Sequence, residues 1–194
     1  MTRKPWHESH GTKAVGRERA QCMSDPSSRL TLFPMPVWAH VPGQTRSADH
    51  ARLAAVIALV PERFARVVPA DDPALRYGLA LNDAGFFWEC HDILEAVWMA
   101  APQRGRDRIL LRACIQVANA NLKSKMQRHG AALRLDAEAR AGLDELRRRG
   151  PAEDADSFAA RFDAAALAGF LRPSDGRIPA AMRRPVLLGS FLAI

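Results

Sequence analysis

Apolar residues recur every three or four positions from residue 47 onward, and this spacing is typical of amphipathic helices. The clearest case is 106–128, where the spacing is kept by Ile109, Leu110, Ala113, Cys114, Val117, Ala118 and Leu122. No segment alternates convincingly between apolar and polar residues with a period of two, as a strand with one buried face does. The pattern therefore predicts an all-α fold, a compact bundle of five or six helices. The predicted helices cover 47–60, 73–84, 86–100, 106–128, 131–149 and 156–170.

The ends of the chain lack this periodicity. Residues 1–46 contain five prolines and many Ser, Thr and Arg residues, so we predict a largely irregular N-terminal segment. Within it, residues 33–43 (FPMPVWAHVPG) are apolar, and we expect them to pack on the folded body. The helical domain is predicted to cover 47–172, and 173–194 is predicted to be an irregular tail.

Charge and composition limit the classes of partner. The net charge is +7, and residues 101–150 hold twelve Lys and Arg against five Asp and Glu. This basic stretch contains no Phe, Trp or Tyr, the residues that stack on nucleic-acid bases. We therefore interpret it as a solvated basic face and do not expect a nucleic-acid partner.

Three further features place the chain in the cytoplasm. No apolar run approaches about 18 residues, and the first twenty residues have no apolar core of a signal peptide. We accordingly expect no contact with a membrane. Cys22, Cys90 and Cys114 form no C-x-x-C pair, and their odd number argues against a disulfide framework. We expect reduced thiols, with Cys90 and Cys114 as small core residues.

One polar group stands out on the predicted helix 86–100. At about 100° per residue, His91, Glu95 and Trp98 fall within about 60° of arc and form one stripe. Phe87 extends the stripe, and Leu94 belongs to the packing face beside it. A carboxylate four residues after an imidazole can hydrogen-bond it and orient it. The pair is therefore either a buried polar bridge between helices or a functional site.

A second polar row lies on the predicted helix 106–128. Gln116, Asn119 and Lys123 recur at three- and four-residue spacing. They form either a solvated face or a set of hydrogen-bond partners for Glu95, if the row turns toward the helix of His91. We include all three as candidate binding residues.

These residues also carry a resemblance to a known family. His91-x-x-x-Glu95-x-x-Trp98, preceded by GFFWE and followed by IQVAN at 115–119, resembles the bacterial and archaeal family called domain of unknown function 309. The resemblance covers about residues 75–135, and Cys90 and Asp92 depart from the residues expected there. It implies a small all-helical fold and selects His91, Glu95 and Trp98 as the positions that matter. It does not specify a reaction, because the biochemical role of the family is not established.

Two functions remain open from the sequence. The first is a binding or scaffold role, with another protein or a second copy of this chain as partner. The second is a small hydrolase-like enzyme in which His91 acts as general acid–base, Glu95 orients it and Trp98 lines the pocket or stacks on a planar substrate. A nucleophile or a third metal ligand is missing from this arrangement, so the sequence predicts no metal site and identifies no cofactor. A metal-assisted version of the enzyme would have to recruit Glu89, Asp92, His129 or a second subunit. We give the binding role precedence.

Overall fold

A computed structural model describes residues 33–45, 50–152, 154–171 and 184–193. These residues form seven α-helices and a short 3₁₀ helix, so the predicted all-α fold class is confirmed. None of the helices in the described ranges is long and apolar enough to cross a membrane. The helices are α1 (His50–Ile57), α2 (Pro73–Asp83), α3 (Phe87–Ala100), α4 (Arg106–Lys125), α5 (His129–Arg148), α6 (Phe158–Arg161) and α7 (Ala164–Phe170).

The helix termini follow the local sequence signals. Asp72 caps α2, because its side chain accepts a hydrogen bond from the backbone amide of Leu75 at 2.8 Å. Pro73 occupies the first turn, where a missing N–H has no cost. Gly85 follows α2 with φ of 86°, a left-handed conformation that favours glycine. The second predicted helix therefore begins and ends where its capping residues indicate.

The predicted helix 156–170 is wrong as a single element. Phe162 is extended, with φ −107° and ψ 127°, and separates α6 from α7. Its backbone forms an antiparallel bridge with Leu192, and its buried ring contacts Phe158 at 5.2 Å between centroids. Asp163 then begins α7 by accepting a hydrogen bond from the amide of Ala166. This break raises the helix number among the described residues above the five or six predicted.

The core is centred where α3 packs between α2 and α4. Gly78 of α2 lies so close to α3 that a Cβ atom at this position would meet Leu94 Cδ2 at 2.7 Å. Cys90 of α3 and Cys114 of α4 are fully buried, which confirms them as core residues. Burial raises the pKa of both thiols, because a thiolate is poorly solvated in the interior.

Residues 33–45 lie on the helical body without forming a helix. Val41 is buried against Phe87 and Leu122, and the hydroxyl of Tyr77 donates to the carbonyl of Pro34 at 3.0 Å. Val37, which the sequence suggests as a packing residue, is instead 75% exposed. The segment is thus fixed at some positions and presents other apolar side chains to solvent.

Residues 184–193, which we call the C-terminal segment, also contact the helical body. Val186 and Leu188 are buried in the core, and the 3₁₀ helix Gly189–Phe191 follows them. The backbone of Val186 is hydrogen-bonded to the side chains of Asn82 and Asn121. The segment is therefore held against α2 and α4.

Candidate functional site

Helix α3 has one buried face and one partly exposed face. Ile93, Leu94 and Val97 are fully buried against the core. Trp88, His91, Glu95 and Met99 recur at three- and four-residue spacing on the other side. We call Trp88, His91, Glu95 and Met99 the α3 surface. Its exposure follows directly from the packing of the opposite face.

His91 and Glu95 meet on the α3 surface. His91 Nε2 lies 3.6 Å from Glu95 Oε2, and the two side chains are 27% and 56% exposed. The pair is therefore formed at the protein–solvent boundary, and not in the interior where a buried polar bridge would lie. His91 Nδ1, in contrast, is buried and has no hydrogen-bond partner among the described residues. The ring thus has one nitrogen beside a carboxylate and one buried nitrogen without a hydrogen-bond partner among the described residues.

Trp88 and His40 extend this arrangement. The rings of Trp88 and His91 lie 6.4 Å apart, and the ring of His40 contacts Trp88 edge-on at 5.0 Å. The spacing of Trp88 and His91, one turn apart on a helix, could have identified Trp88 from the sequence. His40 could not be found in this way, because it reaches α3 through the tertiary packing of residues 33–45.

Glu89 is the carboxylate that is actually buried on α3. It is fully buried, and its Oε1 accepts a hydrogen bond from the backbone amide of His40 at 2.7 Å. Its Oε2 is without a hydrogen-bond partner within the described parts of the chain. Burial raises the pKa of Glu89, an effect that the His40 hydrogen bond partly offsets. The sequence could have indicated that Glu89 is buried, because Glu89 lies one turn before Ile93, a residue of the packing face.

Trp98 is separated from the exposed pair by its own contacts. The guanidinium carbon of Arg108 lies 3.9 Å above the centre of the Trp98 ring. Arg108 Nη1 also donates to the backbone carbonyls of Trp98 and Ala101, so it satisfies carbonyls at the end of α3. One face of the indole is thus occupied by a cation. This contact stabilises the helix end, where the sequence suggested a stacking position for a ligand.

The second polar row does not turn toward Glu95 at Gln116. Gln116 Nε2 donates to Glu138 Oε2 on α5 at 2.6 Å. Asn119 and Lys123 follow on α4 and are partly buried. The polar side chain that α4 buries toward α2 is Asn121, which bonds Asn82 at 2.8 Å. The sequence could have indicated the burial of Asn121, because helical spacing places it on the apolar face, one turn after Val117, and away from Gln116, Asn119 and Lys123.

A metal ion at His91 would need at least two further ligands nearby. Among residues 33–45, 50–152, 154–171 and 184–193, no three His, Cys, Asp or Glu side chains come together in a group that could hold an ion.

The middle of the chain matches a known family. Residues 75–135 match the sequence model of the family described as Domain of unknown function (DUF309). The match confirms the family resemblance over the same residues, and it includes α2, α3, α4 and the start of α5. All the candidate residues predicted from the sequence lie inside the matched region. No curated protein and no solved structure matches the chain.

Proposed function

We propose that this protein is a cytoplasmic helical binding protein and that the α3 surface recognises a partner protein, a second copy of the chain included. The observation that carries the proposal is the position of the His91–Glu95 pair, which is at the surface and not between packed helices. Exposed ion pairs contribute about 0–1 kcal/mol to stability, so folding alone gives little reason for this pair. Recognition of a partner gives it a role.

The composition of the α3 surface fits protein recognition. Met99 is 65% exposed, and Trp88, three residues before His91, is partly exposed. Aromatic residues and Met are enriched in the buried centres of protein interfaces, where they contribute large apolar contact areas. His91 and Glu95 lie in the same row and supply a donor and an acceptor. A partner that buries the apolar side chains would be oriented by this polar pair.

The proposed compartment rests on the two thiols in the core. Cys90 and Cys114 are free and fully buried. Free buried thiols are usual in proteins of the reducing cytoplasm. We therefore include the cytoplasm in the proposal.

A hydrolase-like enzyme is the second candidate, and one contact favours it. Glu95 Oε2 lies within ion-pair distance of His91 Nε2, at 3.6 Å, so a small side-chain movement would form the hydrogen bond that orients an acid–base histidine. The two functions differ in what His91→Gln removes. An enzyme would lose turnover and keep its partners, whereas a binding protein would lose affinity for its partner.

A photo-crosslinking amino acid at position 99 tests the binding role. Met99 lies on the α3 surface and is 65% exposed, and Leu133 on α5 provides a matched control because it is a similarly exposed apolar residue, at 50%. We expect a specific adduct from position 99 that is absent from position 133. The charge reversal Glu95→Lys should reduce the adduct at least fivefold.

Two results would overturn the binding role. The first is equal adduct yield at positions 99 and 133, which indicates random collisions. The second is an adduct from position 99 that Glu95→Lys leaves unchanged.

A further inference from the structure

The groove between α2 and α4 holds the backbone of Val186 through two buried side-chain amides. Asn82 and Asn121 are 0% and 1% exposed. Their Nδ2 atoms donate to the carbonyl of Val186 at 2.8 and 3.0 Å, and the amide of Val186 donates to Asn121 Oδ1 at 3.0 Å. Asn121 also donates to Asn82 Oδ1 at 2.8 Å, which fixes the two amides relative to each other. Both polar groups of one peptide residue are thus satisfied by side chains of the helices.

The groove buries alternate side chains of the C-terminal segment. Val186 is 2% exposed and Leu188 is fully buried, while Leu187 between them is 48% exposed. Asp83 Oδ2 accepts a hydrogen bond from the amide of Gly189 at 3.0 Å. A Cβ atom on Gly189 would lie only 2.5 Å from this oxygen, so a larger residue would have to displace the Asp83 carboxylate and glycine is favoured at this position. Positions 186–189 of the bound segment therefore follow the sequence pattern apolar, any residue, apolar, glycine.

Main-chain recognition does not depend on which peptide supplies the main chain. Every extended residue except proline offers one N–H and one carbonyl, and buried amides such as those of Asn82 and Asn121 need such partners. Known peptide-binding domains use the same division, with main-chain hydrogen bonds for affinity and alternate side-chain pockets for specificity. The α2–α4 groove has both elements.

The groove and its occupant belong to different parts of the chain. Asn82, Asp83 and Asn121 all lie within residues 75–135, the region that matches the DUF309 family model. Val186 lies well beyond the end of the match. The polar groups that bind the peptide are therefore part of the family domain, and the peptide is attached to it from outside.

We propose that the α2–α4 groove is a peptide-binding site for an extended segment with the pattern apolar, any residue, apolar, glycine. In this chain the C-terminal segment occupies the site, and a segment of the same pattern in a partner protein competes with it. The site lies on α2 and α4 and is independent of the α3 surface. Because the C-terminal segment is covalently attached, its effective concentration is high and it acts as a competitor.

The test uses the full chain with Val186→Pro. Proline has no N–H to donate to Asn121, so the variant should release the C-terminal segment. The probe is a fluorescent synthetic peptide of residues 184–193. We expect it to bind Val186→Pro at least tenfold more tightly than the wild type, whose groove is filled. The same peptide with an N-methylated valine at the position of Val186 should bind at least tenfold more weakly.

Two outcomes overturn the proposal. One is the absence of peptide binding to a folded Val186→Pro chain. The other is equal binding of the native and the N-methylated peptides, which would exclude main-chain recognition. If Val186→Pro does not fold, Gly189→Ala replaces it, because the added Cβ would meet the Asp83 carboxylate. Binding of the native and the N-methylated peptides is then compared on this variant.

Discussion

The carboxylate of Glu89 accepts a hydrogen bond from the backbone amide of His40 at 2.7 Å and joins α3 to a segment 49 residues earlier in the chain. The carboxylate is fully buried, and burial raises its pKa above the ordinary value of 4.5. The folded state therefore holds a proton on Glu89 in a pH range where the unfolded state has released it. Glu89 contributes most to stability at acid pH, and this contribution decreases as the pH rises through that range.

Glu89→Gln should remove this pH dependence. Its side-chain oxygen can still accept the His40 hydrogen bond, and it carries no charge at any pH. We expect the free energy of unfolding of the wild type to fall relative to Glu89→Gln as the pH rises from about 4.5, with urea unfolding as the measurement. Glu62→Gln, at an exposed carboxylate, serves as control. A difference that is constant with pH, or that rises with pH, would contradict the burial of a carboxylate at Glu89.

Arg108→Ala should destabilise the end of α3. The guanidinium stacks on Trp98 and donates to the carbonyls of Trp98 and Ala101, so its removal leaves the Ala101 carbonyl without this donor and the Trp98 carbonyl with the 3.3 Å bond from the amide of Ala101. We expect a loss of about 1–3 kcal/mol in the free energy of unfolding. Arg112→Ala is the matched control, since Arg112 is exposed one turn later on α4 and should change stability by less than about 0.5 kcal/mol. Equal losses for the two variants would show that the Trp98 contact contributes nothing.

Two glycines inside helices should respond in opposite directions to alanine. At Gly78 the new Cβ would lie 2.7 Å from Leu94 Cδ2, and we expect destabilisation by about 1–3 kcal/mol. At Gly142 the nearest atom is Ala113 Cβ at 3.8 Å, an ordinary contact, and we expect stabilisation by about 0.5–1 kcal/mol from the higher helix propensity of alanine. Thermal and urea unfolding measure both. Stabilisation by Gly78→Ala would rule out the close approach of α2 and α3.

Local sequence signals determined much of the fold. The Asp72–Pro73 cap and the glycines at positions 85 and 150 mark helix ends because they act through bonds within a few residues. The three- and four-residue apolar spacing located α4 for the same reason. These features need no knowledge of the rest of the chain.

The features that the sequence did not reveal depend on contacts between distant residues. The bond from Asn82 to Val186 joins positions 104 residues apart. The break at Phe162 depends on Leu192, since no glycine or proline interrupts the sequence there. On α3, periodicity identified His91 and Glu95 as neighbours, but it could not show that Glu89 is the buried carboxylate and Glu95 the exposed one.

We propose that the His91–Glu95 pair is kept at the surface for recognition of a partner and not for folding. Urea unfolding of the wild type, His91→Gln, Glu95→Gln and the double variant tests it as a thermodynamic cycle. We expect each single variant to remain within about 1 kcal/mol of the wild type, with a coupling energy below about 1 kcal/mol, as for an exposed pair. Losses of about 3 kcal/mol or more for each variant, with strong coupling, would identify a buried structural bridge and contradict the claim.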